Sequence, residues 1–308
     1  MRQVGDDAAP ELSVVIASHN AAAVMPDCLT ALCSQHEFGR TEVIVADSSA
    51  DGTDDLIRRR FPEVRVLRSP GRLTIPELRG AGIAVARGRI VALLDPYCIV
   101  GERWLSELLA VHARRPEPAV GGTVELGSAH GRGVVHWAVF FSEYAAFMPP
   151  VREGRSADLA GGNVAYKRGA LGDPAELAQA GFWKPFVNAR LKAEGRGFWI
   201  APSLSVGLRK PVPFREFLRS RYHHGRCFAA MRVARCTRVE ACWRALTAPA
   251  LPILALWRGA RAVWPKRRRR VEFLMSLPLL LLLHGSWAWG EFCGYLLGPG
   301  RSCGQLFY

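Results

Sequence analysis

The chain has 308 residues, a net charge of +14 and a hydrophobic share of 49%. This length suits one large domain with an appendage or two domains, and the apolar content excludes wholesale disorder. The positive charge, nearly all Arg, calls for an anionic partner such as nucleotide phosphates or acidic membrane lipid; no single basic module with interleaved aromatics is present, which argues against nucleic acid. The eight Cys lack Cys-x-x-Cys or zinc-ligand spacing and read as buried free thiols of a reducing compartment. The first ten residues are polar, without a signal-peptide apolar core, so the catalytic portion is expected in the cytoplasm.

Residues 12–17, rich in β-branched side chains, predict a first buried strand, left through Ser18-His19-Asn20. Helical spacing of Val24, Cys28, Leu29 and Leu32 follows over 24–35. A second strand is expected at 42–46, a polar Gly-containing loop at 47–53, a helix at 54–61 and a third strand at 64–67. Residues 74–87 read as a helix although Gly80 and Gly82 each cost it about 1 kcal/mol relative to Ala; close approach of a sheet or ligand would explain them. The run Ile90-Val91-Ala92-Leu93-Leu94 is continuous enough for a strand covered on both faces, and it ends at the carboxylate of Asp95 before Pro96 stops the ladder. Strand–helix alternation of this kind predicts a doubly wound α/β sheet, with ligands at the carboxyl ends of the strands.

Beyond this the pattern loosens. Residues 120–126 suit a strand, 133–148 are apolar and aromatic around Glu143, and 149–158 read as a loop. Gly161-Gly162-Asn163 forms a tight turn, 186–194 a helix, and 198–200 and 203–208 two further strands. Residues 215–235 make a basic amphipathic stretch suited to a membrane surface or a diphosphate. Residues 245–264 are apolar, 266–270 are all basic, and 273–298 are long and apolar with Trp287, Trp289 and Tyr295 near one end. This predicts membrane association, as a span with a basic cytoplasmic flank or as a shallow hairpin.

Four motifs in order carry a family resemblance. Ser13-Val14-Val15-Ile16-Ala17-Ser18-His19-Asn20, Val43-Ile44-Val45-Ala46-Asp47-Ser48-Ser49-Ala50-Asp51-Gly52-Thr53, Leu78-Arg79-Gly80 with its following helix, and Leu94-Asp95-Pro96-Tyr97 resemble the first strand, nucleotide loop, Arg-x-x-Gly helix and Asp-x-Asp motif of family 2 glycosyltransferases. The resemblance extends through Gly161-Gly162-Asn163 to about residue 210. It implies a GT-A fold, a Rossmann-like, mostly parallel sheet with helices on both faces, to which the C-terminal apolar helices are added. The organisation expected is a tail at 1–10, a nucleotide-sugar domain at 11–210, a basic segment at 211–244 and membrane-associated helices at 245–308.

The resemblance implies a donor site of Ala17, Ser18, His19, Asp47, Arg79, Asp95, Gly161, Gly162 and Asn163. Asp47 would accept from the base, and Arg79 would contact the diphosphate. It also implies a divalent metal, Mg²⁺ or Mn²⁺, on Asp95. Tyr97, however, stands where the family has its second Asp, and a neutral phenol is a poor ligand for these ions. In inverting relatives an acidic pair precedes the helix that carries an Arg-Leu matching Arg190-Leu191. Here that pair falls on Trp183-Lys184. Asp95, Glu143 and Asp158 remain as catalytic carboxylate candidates, Glu125 beside them, and spacing alone does not choose. The function implied is sugar transfer, with inversion, from a nucleotide diphosphate sugar to a lipid-linked or polysaccharide acceptor at the cytoplasmic membrane face. The alternative is a non-catalytic nucleotide-sugar-binding partner or sensor.

Overall fold

The apolar runs of the first hundred residues become the strands of one sheet. The computed structural model describes residues 9–127, 133–210 and 213–307; the N-terminal tail up to residue 8 lies outside them. In chain order the elements are β1 (Leu12–Ser18), α1 (Met25–Cys33), β2 (Thr41–Asp47), α2 (Thr53–Arg60), β3 (Arg65–Arg68), α3 (Ile75–Ala84), β4 (Ile90–Leu94), β5 (Cys98–Val100), α4 (Trp104–Arg114), β6 (Ala119–Leu126), α5 (Val134–Tyr144), β7 (Gly154–Ser156), β8 (Asn163–Lys167), α6 (Pro174–Ala180), α7 (Lys184–Ala193), β9 (Phe198–Leu208), α8 (Phe214–Val233), α9 (Arg238–Thr247), α10 (Leu251–Val263) and α11 (Arg270–Leu297). They form two compact units, residues 1–127 with 149–210, and 128–148 with 211–308.

The sheet of the first unit runs β3-β2-β1-β4-β8-β6-β9-β5, with β7 added on β9. Strands β3, β2, β1 and β4 are mutually parallel, and β8 turns antiparallel beside β4. Every residue of β1 is buried, as a strand covered on both faces requires. The register sets Ser18 beside Asp47 and Ile16 beside Leu94, so Ser18, Asp47 and Asp95 emerge at one carboxyl edge. The two strands expected at 198–208 are one; β5, α4, β7, β8 and α6 are additions to the sequence pattern, β7 inside the stretch expected as a loop.

The glycines of α3 have a packing cause. A Cβ on Gly80 would lie 2.0 Å from the Leu177 carbonyl oxygen of α6, and one on Gly82 would lie 2.4 Å from a Val15 methyl of β1. The helix starts at a capping box in which the Thr74 N–H donates to Glu77 Oε2 at 2.7 Å, with Pro76 in its first turn. The approach of β1 and α6 therefore outweighs the propensity cost of the two glycines, and it fixes where Arg79 points.

On α4, His112 is 5% exposed, and burial, with Lys167 adding to it, lowers its pKa to about 4. The folded value lies below the ordinary 6.5, so below that pH the unfolded chain binds the proton first. Stability is thus full above pH 6.5 and falls as pH drops toward 4, by up to about 3 kcal/mol at 1.36 kcal/mol per unit. Chemical denaturation of His112→Leu at pH 7 and pH 4.5 should show a smaller loss across that window than the parent chain; an equal loss would refute the assignment.

The second unit takes in 133–148, a stretch that the sequence pattern groups with the nucleotide-sugar domain. Its aromatic face explains this: on α5, Trp137 stacks on Phe141 at 5.4 Å, and Phe141 meets Phe273 of α11 edge-on at 5.2 Å. Helix α8 lays Gly225 and Ala229 against α11, where Gly290 and Gly294 let the backbones touch. The basic stretch around α8 is therefore partly a packed face. Arg221 lies over the Trp287 ring at 4.4 Å and 3.8 Å from Glu143. The expectation that all cysteines are free is corrected at one pair: Cys227 of α8 and Cys303 are disulfide-bonded, because the chain after α11 returns along α8 and brings their Cα atoms within 5.0 Å. Much of the rest of this unit is apolar and uncovered, including Trp243, Ile253, Trp257, Met275, Leu282 and Trp289. Two of its helical segments, Arg238–Lys266 and Arg270–Leu297, are long and apolar enough to cross a membrane.

Candidate active site

The carboxyl edge of β1, β2 and β4 gathers the donor-site residues expected from the sequence. Asp47, the last residue of β2, is fully buried. Its Oδ1 accepts the Ser49 hydroxyl at 2.5 Å, its Oδ2 accepts the Ser49 N–H at 3.1 Å, and Arg68 stands 4.0 Å away. The turn after β2 is thus closed on Asp47 itself. Beside it Ser18 is buried, and its Oγ has no hydrogen-bond partner among the described residues. Ala17 is covered. The ring of His19 sits 3.2 Å from the Ser48 carbonyl oxygen, and burial lowers its pKa while that carbonyl pulls the other way. His19 is therefore neutral at pH 7, a flat ring at the rim. Arg72, exposed on the loop before α3, lies within electrostatic reach of His19.

Asp95 is the second centre. Arg79 Nη2 donates to its Oδ1 at 2.6 Å, and the Tyr97 hydroxyl donates to its Oδ2 at 3.1 Å. The ion pair is shielded, with side-chain exposures of 16% for Arg79 and 9% for Asp95. Gly162 is required here, since a Cβ on it would lie 2.3 Å from Asp95 Oδ2. Lys210, buried, holds its ammonium 5.0 Å from the centre of the Tyr97 ring. A guanidinium and a phenol therefore hold one carboxylate, with a second cation over the phenol ring.

Those groups do not fit a divalent cation. Both Asp95 oxygens already accept strong donors, the nearest side chain on one flank is a guanidinium, and no group of three or more His, Cys, Asp or Glu is placed to hold a metal among the described residues. A hard cation takes several oxygen ligands, usually with more than one carboxylate. Arg79 and Lys210 carry the positive charge of this corner instead.

Gly161 is open on its Cβ side, as a surface for ligand approach would be. Asn163 is different. Its Oδ1 accepts from Trp104 Nε1 at 3.1 Å, and its Nδ2 donates to the Thr123 and Leu204 carbonyls at 3.0 and 2.7 Å. Both polar atoms of that amide are engaged within the fold, and Asn163 braces the turn that sets Gly162 against Asp95. Glu143 belongs to the second unit, where Arg221 is its neighbour.

The loop that leads to this turn carries Asp158. Lys184 Nζ and Asn188 Nδ2 both donate to its Oδ1, at 2.8 and 3.0 Å, and the Tyr166 hydroxyl donates to Asn188 Oδ1 at 2.9 Å. Burial lowers the Lys184 pKa, Asp158 pulls it up, and Arg79 lowers it further. The sequence pattern singles out neither Tyr166 nor Asn188, nor Lys210 and Arg68. Each is joined to its partner by the chain's return, and only the basic character of Lys210 and Arg68 hints at a site.

A half of four parallel strands, with an antiparallel strand beside its last member, fits the GT-A class. The model of the family described as glycosyl transferase family 2 matches residues 13–173, and the chain belongs to that family. Among curated relatives, the glycosyltransferase AglE of Haloferax volcanii is 30% identical over 127 residues, 40% of this chain and 42% of that protein. The validoxylamine A glucosyltransferase of Streptomyces hygroscopicus is 32% identical over 130 residues, 40% of this chain and 29% of that one. The chain thus aligns with less than half the length of these relatives. Among solved structures, the mannosyltransferase PcManGT from Pyrobaculum calidifontis in complex with GDP-Man and Mn²⁺ superposes with a TM-score of 0.56 at 17% identity, over 90% of this chain and 86% of that one. That likeness is one of fold.

Proposed function

We propose that this chain transfers a sugar, with inversion, from a nucleotide diphosphate sugar to a lipid-linked or saccharide acceptor at the cytoplasmic face of a membrane. The observation that carries the reading is the convergence of Ser18, Asp47 and the Arg79–Asp95 pair on one carboxyl edge of a parallel sheet. The partnerless Ser18 hydroxyl and the His19 ring suit a base and ribose, and Arg79 suits a leaving diphosphate. The acceptor oxygen forms a bond to the anomeric carbon as the bond to the diphosphate oxygen breaks, its electron pair leaving on the diphosphate beside Arg79. Glycosyltransferases among the relatives, and GDP-Man in PcManGT, support a nucleotide-sugar donor.

Equilibrium binding of uridine, thymidine and guanosine diphosphates to the full chain tests the donor. At least one should bind, and Asp47→Ala should weaken it by 10-fold or more; no binding to any of the three ends the reading. With both Asp95 oxygens taken by protein donors, a chelator should change that affinity by less than about 2-fold.

The uncovered aromatic and aliphatic side chains of α9, α10 and α11, beside the exposed Arg267 and Arg268, support attachment to acidic membranes. Vesicles containing anionic lipid should carry the chain in flotation, and a chain that stays soluble without them contradicts this placement. A non-catalytic nucleotide-sugar-binding partner is the second reading, favoured by Lys184 where an acidic residue is expected. Repeated turnover of a nucleotide sugar excludes it.

A further inference from the structure

We propose that Asp158, on the loop between β7 and β8, is the general base that takes the proton from the acceptor hydroxyl, with Lys184 and Asn188 as its positioning residues. The proposal rests on the sugar-transfer reading and assigns to it a residue that spacing alone could not choose. Of the carboxylates in the first unit, Asp95 is closed by Arg79 and Tyr97, and Asp47 by Ser49 and Arg68. Asp51 accepts from Ala22, Thr53 and its own turn, and Glu77 completes the cap of α3. Asp158 has a different arrangement. Its Oδ1 takes both hydrogen bonds, from Lys184 and Asn188, while its Oδ2 receives none among the described residues, and the side chain is 55% exposed. One oxygen is anchored and the other faces solvent, where an acceptor hydroxyl can reach it.

The anchor is itself fixed. Asn188 is buried, and the Tyr166 hydroxyl donates to its carbonyl oxygen, so the amide can present only its N–H group to Asp158. Lys184 also donates to the Leu159 carbonyl, which holds the ammonium against the loop whatever the protonation state of Asp158. The same loop ends at Gly162, which lies against Asp95. Lys184 of α7 and Tyr166 of β8 are the titratable groups that act on Asp158, and Arg79 of α3 in turn acts on both of them, with Lys192 behind Lys184. Arg79 is the side chain assigned above to the leaving diphosphate, so proton acceptor and leaving-group cation belong to one electrostatic cluster. In the step, the acceptor O–H bond breaks and its proton goes to Oδ2, the oxygen bonds to the anomeric carbon, and the diphosphate leaves with the electron pair of the broken bond. Lys184 and Asn188 hold Oδ1 in place and leave Oδ2 as the proton-accepting oxygen.

The test uses the full chain, the nucleotide sugar whose diphosphate it binds, vesicles of membrane lipid extract as acceptor source, and release of nucleoside diphosphate as the count. Asp158→Asn keeps an oxygen for Lys184 and Asn188 to donate to. It should lower kcat by 100-fold or more with donor affinity within 2-fold of the parent chain. Lys184→Met should still turn over, with kcat lowered about 10-fold and donor affinity within 2-fold of the parent, because one of the two donors that hold Oδ1 is lost. Asp158→Asn within 3-fold of the parent kcat, or Lys184→Met that loses donor affinity as much as kcat, overturns this assignment of Asp158 and Lys184 while the transferase reading stands. A parent chain that binds the donor yet never turns it over ends the transferase reading, and the base with it.

Discussion

Arg79→Ala is expected to abolish measurable nucleoside diphosphate binding at concentrations where the parent chain saturates, and to lower stability by about 3 kcal/mol. Both effects follow from one geometry. The guanidinium sits 2.6 Å from Asp95 Oδ1 in a shielded corner. Truncating it leaves a buried carboxylate with only the Tyr97 phenol as donor. Breaking one side of a buried pair costs roughly 3–5 kcal/mol, and the lower end applies because Arg79 retains some exposure and water can follow it out. Binding falls more steeply, because an anionic ligand then approaches Asp95 with no intervening cation except Lys210. A loss of 100-fold or more matches the removal of a charge-assisted, two-pronged phosphate contact. Arg79→Lys separates the two contributions: it keeps a cation beside Asp95 and should recover most of the stability, but its single ammonium cannot hold Asp95 and a phosphate together, so affinity should stay at least 10-fold down. Titration calorimetry and urea denaturation on the three proteins check this. Parent-like affinity in Arg79→Ala would remove the diphosphate from this corner altogether.

The parts of this site that could be read from the sequence are those whose signal is local. Ile90–Leu94 announces a buried strand by its unbroken apolar run, and the carboxylate after it must then stand at a sheet edge. Gly80 and Gly82 announce a close approach by being poor helix residues, although only the packing of α6 and β1 says what approaches. Other features depend on distant partners. Lys184 meets Asp158 across 26 residues of chain, and Arg209 reaches Asp27 across 182. Nothing in the local composition of 149–158 says that its last residue is anchored by Lys184 and Asn188. Asn163 shows the same dependence: the local residues give a tight turn, while its amide is held by Trp104 and two carbonyls that belong to other strands. The stretch 133–148 follows a strand of the first unit, yet its aromatics find their partners on α11, so contacts rather than chain order decide its membership. Cys227 and Cys303 look alike to the other cysteines until the chain folds back along α8.

Gly290→Leu should unfold the second unit while leaving the first unit folded. On α11, Gly290 and Gly294 are one turn apart, and on α8, Gly225 and Ala229 repeat the spacing, so each helix presents a strip of small residues to the other. Backbones that close leave no room for a side chain. A Cβ on Gly290 would sit 2.2 Å from the Tyr222 carbonyl oxygen and 2.9 Å from the Arg226 nitrogen, both main-chain atoms that no rotamer change can move. Leu adds three further carbons to that clash. Overpacking an ordinary core costs about 1–3 kcal/mol because side chains yield. Here one helix must withdraw from the other, which also opens the Trp287 and Arg221 contact and the neighbourhood of the Cys227–Cys303 bond. The cost should therefore exceed about 4 kcal/mol, in the range reserved for severe lesions. The crossing follows the small-residue packing seen between membrane helices, so detergent should not rescue it. Limited proteolysis in detergent should cut the variant within 213–307 while 149–210 stays protected, and nucleoside diphosphate binding should remain within a few-fold of the parent. A variant as resistant as the parent would mean that α8 and α11 do not touch along this strip; loss of binding together with resistance would mean that the two units are not independent in stability.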